Sequence, residues 1–224
     1  MYSKQTIEGN MDISWFYRLS FDYIPSAFLA DVINLEESFG SQDFDAERLF
    51  LGDYREIDFP ISFKQFSGRK LSDILQLGRV WPFLISERMK HLLEEHHFTG
   101  WKTFPVKVFD KNDVEIPGYY GFSVTGRCGP IDYNKCEMME KRRIPEAPLK
   151  KYYKGLYVGF DKWDETDFFL SAGYMGIIVT ERVAVALKDS KLTNVSLENL
   201  AEFEKSEFDV SVHIDSMKRN NILQ

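Results

Sequence analysis

The side chains in this 224-residue chain that could do chemistry are four histidines, two cysteines and several recurring aspartates and arginines. His91, His96 and His97 lie close together, with His213 far downstream. A helical metal pair needs histidines at i and i+4, and His91 and His96 are five apart. The spacing instead predicts a solvated helix face, with Glu95 supporting His91 at i, i+4. Asp161, Asp164, Glu165 and Asp167 offer oxygens that a divalent cation would accept. Trp163 and Phe168 among them argue for a turn at a sheet edge. Cys128 and Cys136 are not spaced as C-x-x-C, so they read as ordinary thiols. Gly121-Phe-Ser123-Val-Thr-Gly126 has part of a nucleophile elbow but lacks the second glycine in its place. Gly118, Gly121 and Gly126 do not match a dinucleotide fingerprint, and there is no Walker loop. No catalytic residue, metal site or cofactor is expected, and the chain is read as a non-enzyme.

The remaining acids and bases with chemical potential recur in a pattern. Ser72–Trp101 aligns with Thr166–Val195 at an offset of 94 residues without a gap. Asp73 meets Asp167, Glu87-Arg88 meets Glu181-Arg182, Leu93 meets Leu187 and Thr99 meets Thr193. Asp73 and Asp167, each after a hydroxyl residue, are expected to form Asx or Ser/Thr turns. An enzyme reading would require Asp73, Asp167, Arg88 and Arg182 to converge in one cleft between the repeats.

The elements that must position these residues follow from the same alignment. Phe83–Ile85 and Ile177–Val179 are short apolar runs suited to buried strands. Ser86 and Thr180 then offer N-cap oxygens, followed by an acid at the positive end of the helix dipole. Thr-Gly and Thr-Asn stop the helices, and strands follow at 101–108 and 195–200. The fold class is α+β: two tandem strand-strand-helix-strand repeats behind an N-terminal helix and an acidic segment. The helix is expected over 27–39, with apolar Phe28, Leu29, Val32, Leu35 and Phe39 and a closing Gly40. The expected organisation is 1–58 for helix and acidic segment, 59–117 for the first repeat and 155–204 for the second. Residues 118–154 read as a Gly/Tyr-rich, basic linker, and 205–224 as a fraying tail. The repeats are expected to pack as one domain.

Charge is unevenly placed. Asp31–Asp58 holds nine acids and two bases, which accounts for the whole formal net charge of −7. Phe44, Phe50, Tyr54 and Phe59 interleave with these acids, so the segment is expected to fold rather than trail as a tail. Nucleic acid is excluded as a partner for want of a basic footprint. No apolar run reaches the ~18–20 residues of a membrane span, and no signal peptide is read at the start. The chain is therefore expected to be cytoplasmic, with no membrane partner.

Leu84-Ile-Ser-Glu-Arg-x-Lys-x-Leu-Leu-Glu94, Phe98-Thr-Gly-Trp-x-x-Phe-Pro-Val106 and Ile178-Val-Thr-Glu-Arg182 resemble bacterial immunity proteins of the Myxococcus-type immunity domain. The resemblance spans roughly residues 55–204. It implies a non-enzymatic inhibitor of a polymorphic toxin, binding its cognate toxin domain and blocking a required surface. Asp43, Asp45, Glu47, Asp53, Tyr54, Glu56 and Asp58 are then the expected contact residues, since a negative face speeds encounter with a basic cleft. The alternative is a small-molecule or regulatory binding module, with Tyr119, Tyr120, Arg127 and Tyr133 lining a pocket between the repeats. Oligomeric state stays open.

Overall fold

The computed structural model describes residues 11–22, 24–33, 46–55, 57–77, 84–142, 144–220 and 222. The first part of the chain forms strands β1 (Phe16–Ser20) and β2 (Leu29–Val32), helix α1 (Ala46–Leu51), and strands β3 (Ile61–Ser67), β4 (Ile74–Leu77) and β5 (Leu84–Ser86). Helix α2 (Glu87–Glu95) follows, then β6 (Trp101–Phe109), β7 (Tyr119–Val124) and β8 (Gly126–Ile131). The hairpin strands β9 (Glu137–Lys141) and β10 (Lys150–Lys154) lead to β11 (Val158–Gly159), β12 (Phe168–Ser171) and β13 (Ile177–Thr180). Helix α3 (Glu181–Asp189), strands β14 (Ser196–Asn199) and β15 (Glu204–Ser206), and helix α4 (Glu207–Arg219) complete the described chain. No helix among the described residues is long and apolar enough to cross a membrane.

The strands form a closed six-stranded barrel, an open six-stranded sheet and a three-stranded sheet. Read from β3, the barrel runs β3-β2-β4-β5-β7-β6, and the open sheet runs β11-β8-β12-β13-β1-β14. The orders correspond place by place. β4 pairs β5 through Ile74↔Ile85 and Leu75↔Leu84, and β12 pairs β13 through Phe168↔Val179 and Phe169↔Ile178, the same register 94 residues on. β2–β4 and β8–β12 are both parallel. The fifth place differs in its origin. The barrel takes β7 from further down the chain, whereas the open sheet takes β1 from near its start. The barrel closes because seven-residue β3 reaches nine-residue β6 in parallel, Ile61↔Val106 onward. The matching edge strands β11 and β14 have only two and four residues and do not meet.

Local chemistry explains the helices. Ser86 caps α2, its hydroxyl accepting from the Met89 N–H, while Thr180 stands at the α3 N-cap without a side-chain cap bond. Each helix ends on a left-handed residue, His97 at φ 52° and Lys191 at φ 49°. Met89 and Leu93 of α2, with Val183, Ala184, Ala186 and Leu187 of α3, enter one core with Phe98, Phe122 and Phe168. That core draws on both the barrel and the open sheet. Each fully buried large apolar side chain contributes about 1.5–3 kcal/mol, so this shared core is a major hold between them.

Three sequence expectations change. The helix expected over 27–39 is absent over its described part, 27–33, which holds strand β2 at Leu29–Val32; residues 34–39 lie outside the described residues. Phe28, Leu29 and Val32 fit either period, and pairing with β3 and β4 decides for the strand. Residues 118–154 are not a linker but hold β7 to β10. Their glycines permit close packing: a Cβ on Gly121 would strike the Phe104 ring, and one on Gly126 would strike Thr166. The tail expected to fray forms α4, capped by Ser206 and anchored by buried Val210, His213 and Met217.

Candidate functional site

Asp73 and Asp167 sit just before β4 and β12, at the junction of the two halves, and both are buried. The Asp73 carboxylate accepts from the Ser86 hydroxyl at 2.7 Å and from Thr193, N–H at 2.7 Å and hydroxyl at 2.9 Å. Arg88 donates to it at 3.3 Å. The Asp167 carboxylate accepts from the Thr180 hydroxyl at 3.1 Å and from Thr99, N–H at 2.9 Å and hydroxyl at 3.1 Å. Arg182 donates to it at 3.1 Å. Thr193 follows α3 and Thr99 follows α2, so each aspartate grips the loop after the other half's helix. The arginines do the same: Arg88 donates to the Ser190 carbonyl and Arg182 to the His96 carbonyl. The bonds are thus not the local turns expected from sequence but reciprocal links between the halves.

An ionised carboxylate offers about four acceptor positions. Four donors reach each aspartate, two on each oxygen of Asp167, and three on Oδ2 with one on Oδ1 of Asp73. The thread the sequence missed is Thr99 with Thr193, whose matched offset was visible but whose partners lie 68 and 120 residues away.

The other reactive candidates are also placed. His91 is exposed, 3.9 Å from both Glu87 and Glu94, rather than paired with Glu95. His96 stacks on Phe98. His213 is buried: its Nδ1 lies 2.6 Å from the Tyr133 hydroxyl and its Nε2 2.6 Å from the Gly173 carbonyl. The carbonyl can only accept, so Nε2 carries the proton and Nδ1 accepts from Tyr133. Burial holds the imidazole pKa below its usual value and the Tyr133 phenol above its own. Asp164 accepts from the Arg127 N–H and from Thr166, which makes the 161–167 stretch a turn. Burial pushes the Cys128 thiol up to about 12 and also raises that of Cys136.

The acidic insertion connects β2 to β3. Leu49 and Phe50 of α1 are fully buried. The Tyr54 hydroxyl bonds the Ser123 hydroxyl at 2.9 Å, its ring packs on Phe59 and Phe104, and the Lys102 ammonium lies 4.1 Å from its centroid. Asp53 is clamped by Arg55 at 2.7 Å and Arg48 at 3.4 Å, which holds its carboxyl well below the usual range. Of the expected contact residues, Asp53 and Tyr54 therefore fasten the insertion, while Glu47 and Asp58 are exposed. Asp43, Asp45 and Glu56 lie outside the described residues.

The four expected pocket residues are dispersed. Tyr119 packs against the barrel core, Tyr120 against the shared core, and Tyr133 belongs to the core beneath α4. The Tyr119 hydroxyl bonds the Ser72 carbonyl, and burial with nearby Asp73 raises its pKa to about 12. Arg127 donates to the Val124, Gly126 and Leu51 carbonyls, so its guanidinium ties the insertion to β7 and β8. Aromatic rings fill the junction they were expected to line, with Phe122 5.6 Å and Phe98 6.4 Å from Phe168.

The geometry defines an α+β protein in which a closed six-stranded barrel and an open six-stranded sheet are joined by buried polar clusters around Asp73 and Asp167. The chain belongs to the immunity protein family Imm11, whose family model matches residues 24–202. No curated protein matches it.

Proposed function

We propose that this chain neutralises a cognate bacterial toxin of a polymorphic system by non-covalent occlusion, with the acidic insertion as its contact face. Membership of the immunity family over 24–202 supports the toxin as partner. The observation that carries the choice of surface is the insertion itself. It adds charge that the scaffold does not need, and buried Leu49 and Phe50 with half-buried Tyr54 fix it to the barrel while Glu47 and Asp58 face solvent. A fixed negative face raises the association rate with a basic cleft and loses less entropy on binding than a free tail. Asp43, Asp45 and Glu56 would add to the same face; Asp53 and Tyr54 would hold it in shape.

We further infer that the two halves arose by internal duplication. The matched strand orders, the shared 94-residue register and the reciprocal aspartate links support this reading. A cytoplasmic site of action follows from the proposed role. The test is co-expression with a candidate toxin domain. The wild-type chain should restore growth and co-purify with the toxin, whereas Glu47→Gln/Asp58→Asn with Asp43→Asn and Asp45→Asn should bind more slowly. Equal on-rates and equal salt dependence would remove the acidic face from the interface.

A further inference from the structure

The three-stranded sheet runs β15-β10-β9, so among the described residues β9 pairs only with β10 and leaves its other edge open. Open edges are usually guarded by proline, a bulge or charge. Glu137-Met-Met-Glu-Lys141 has no proline, and its register with β10 is unbroken. Its guard is charge, and that charge is ordered: acid at one end, base at the other.

We propose that a second copy of this chain docks on this edge, the two β9 strands running antiparallel about a two-fold axis at Met139. Antiparallel pairing about that residue sets Glu137 of each copy opposite Lys141 of the other and Met138 opposite Glu140. A parallel in-register arrangement would set like charges together, which is destabilising, so the charges select the antiparallel one. The interface is isologous and closes at two copies. Lys141 already meets Glu204 within its own chain, and an ammonium with three donors can serve both carboxylates.

The flanks of the edge also favour a partner. Met138 is 59% exposed on β9 itself. Beyond the strand, Ile144, Leu149 and Phe208 are 65%, 54% and 74% exposed and line one groove of about 700 Å³ between the β9–β10 turn and the start of α4. Clustered exposed apolar side chains of this size mark association surfaces. Charges of both signs stand on its rim, Lys150 and Lys151 with Glu140, Glu207 and Asp209, of which Lys151 and Glu207 already meet at 3.7 Å within the chain. This proposal is independent of toxin binding, because the β9 edge does not include the acidic insertion.

The test is the mass of the full chain by light scattering across a concentration series reaching hundreds of micromolar, with two variants. The wild type should approach twice the 26.2 kDa chain mass. Glu137→Lys, which faces lysine with lysine, should raise the dimer dissociation constant at least tenfold with an unchanged far-UV spectrum. Met139→Cys places two cysteines opposite each other across the axis, within the Cα range a disulfide accepts. It should cross-link under mild oxidation while Glu137→Cys and the wild type do not. A wild type that stays monomeric throughout, or a dimer in which Met139→Cys gives no cross-link, overturns the proposal.

Discussion

Replacing Asp167 by alanine tests the reciprocal links directly. The change removes the acceptor of the Thr99 N–H, the Thr99 and Thr180 hydroxyls and the Arg182 guanidinium. The hydroxyls can turn toward other acceptors, and Arg182 is 40% exposed and recovers water, so neither carries most of the cost. The Thr99 N–H cannot reorient, but Thr99 is an exposed residue, so water reaches that donor too. Loss of these charge-assisted bonds costs about 1.5–3 kcal/mol. An expected loss of about 2–3 kcal/mol is still a large share of the ~5–15 kcal/mol total of an ordinary domain. The matched contacts around Asp73 predict nearly the same loss for Asp73→Ala. Urea denaturation of both variants beside the wild type measures it, read as a shift of midpoint at constant slope. Losses below ~1 kcal/mol, or one aspartate inert and the other not, would refute reciprocal bracing of the halves.

Other outcomes follow from the same structure. Phe50→Ala should cost about 3–5 kcal/mol by opening a cavity under α1, and should raise proteolytic cleavage within 46–58 more than elsewhere. Burial holds the folded His213 pKa below its usual 6.5, against the Gly173 carbonyl bond, which favours the charged form. Its stabilising effect is intact above that value and is lost progressively as pH falls from there through the lower folded value, because the unfolded chain takes up the proton first. Thermal melts between pH 7.5 and 5 should show this fall, and His213→Gln should flatten it. Cys128, with its thiol at about 12, should resist alkylation at pH 8 in the native chain and react fully once unfolded.

What the sequence made legible was local. The described part of the apolar run at 83–85, the run at 177–179 and the helices behind them appear where the patterns placed them, because capping and periodicity act within a few residues. The helices stop earlier than Thr-Gly and Thr-Asn, at left-handed His97 and Lys191. The family was legible from the same motifs. The expectations that changed depend on distant partners. Leu29–Val32 is a strand because β3 and β4 flank it, and β1 enters the open sheet between strands more than 150 residues away. The glycines of 118–133 read as linker until Phe104 and Thr166 are seen packed against them. The α4 helix has a weak apolar stripe, and the buried His213–Tyr133 bond that anchors it joins residues 80 apart. Tyr54 was legible as a member of an acidic, aromatic face, but not as its fastener, since Ser123 and Lys102 come from β7 and β6.

The central claim is that the anchored acidic face meets the toxin. The most direct measurement is the association rate constant of the purified chain with its toxin domain across a salt series, for the wild type and for Glu47→Gln/Asp58→Asn. The account predicts a steep fall with salt for the wild type and a slower, shallower response for the variant. A wild-type rate that does not change with salt, or a variant that matches it at every salt concentration, would contradict it.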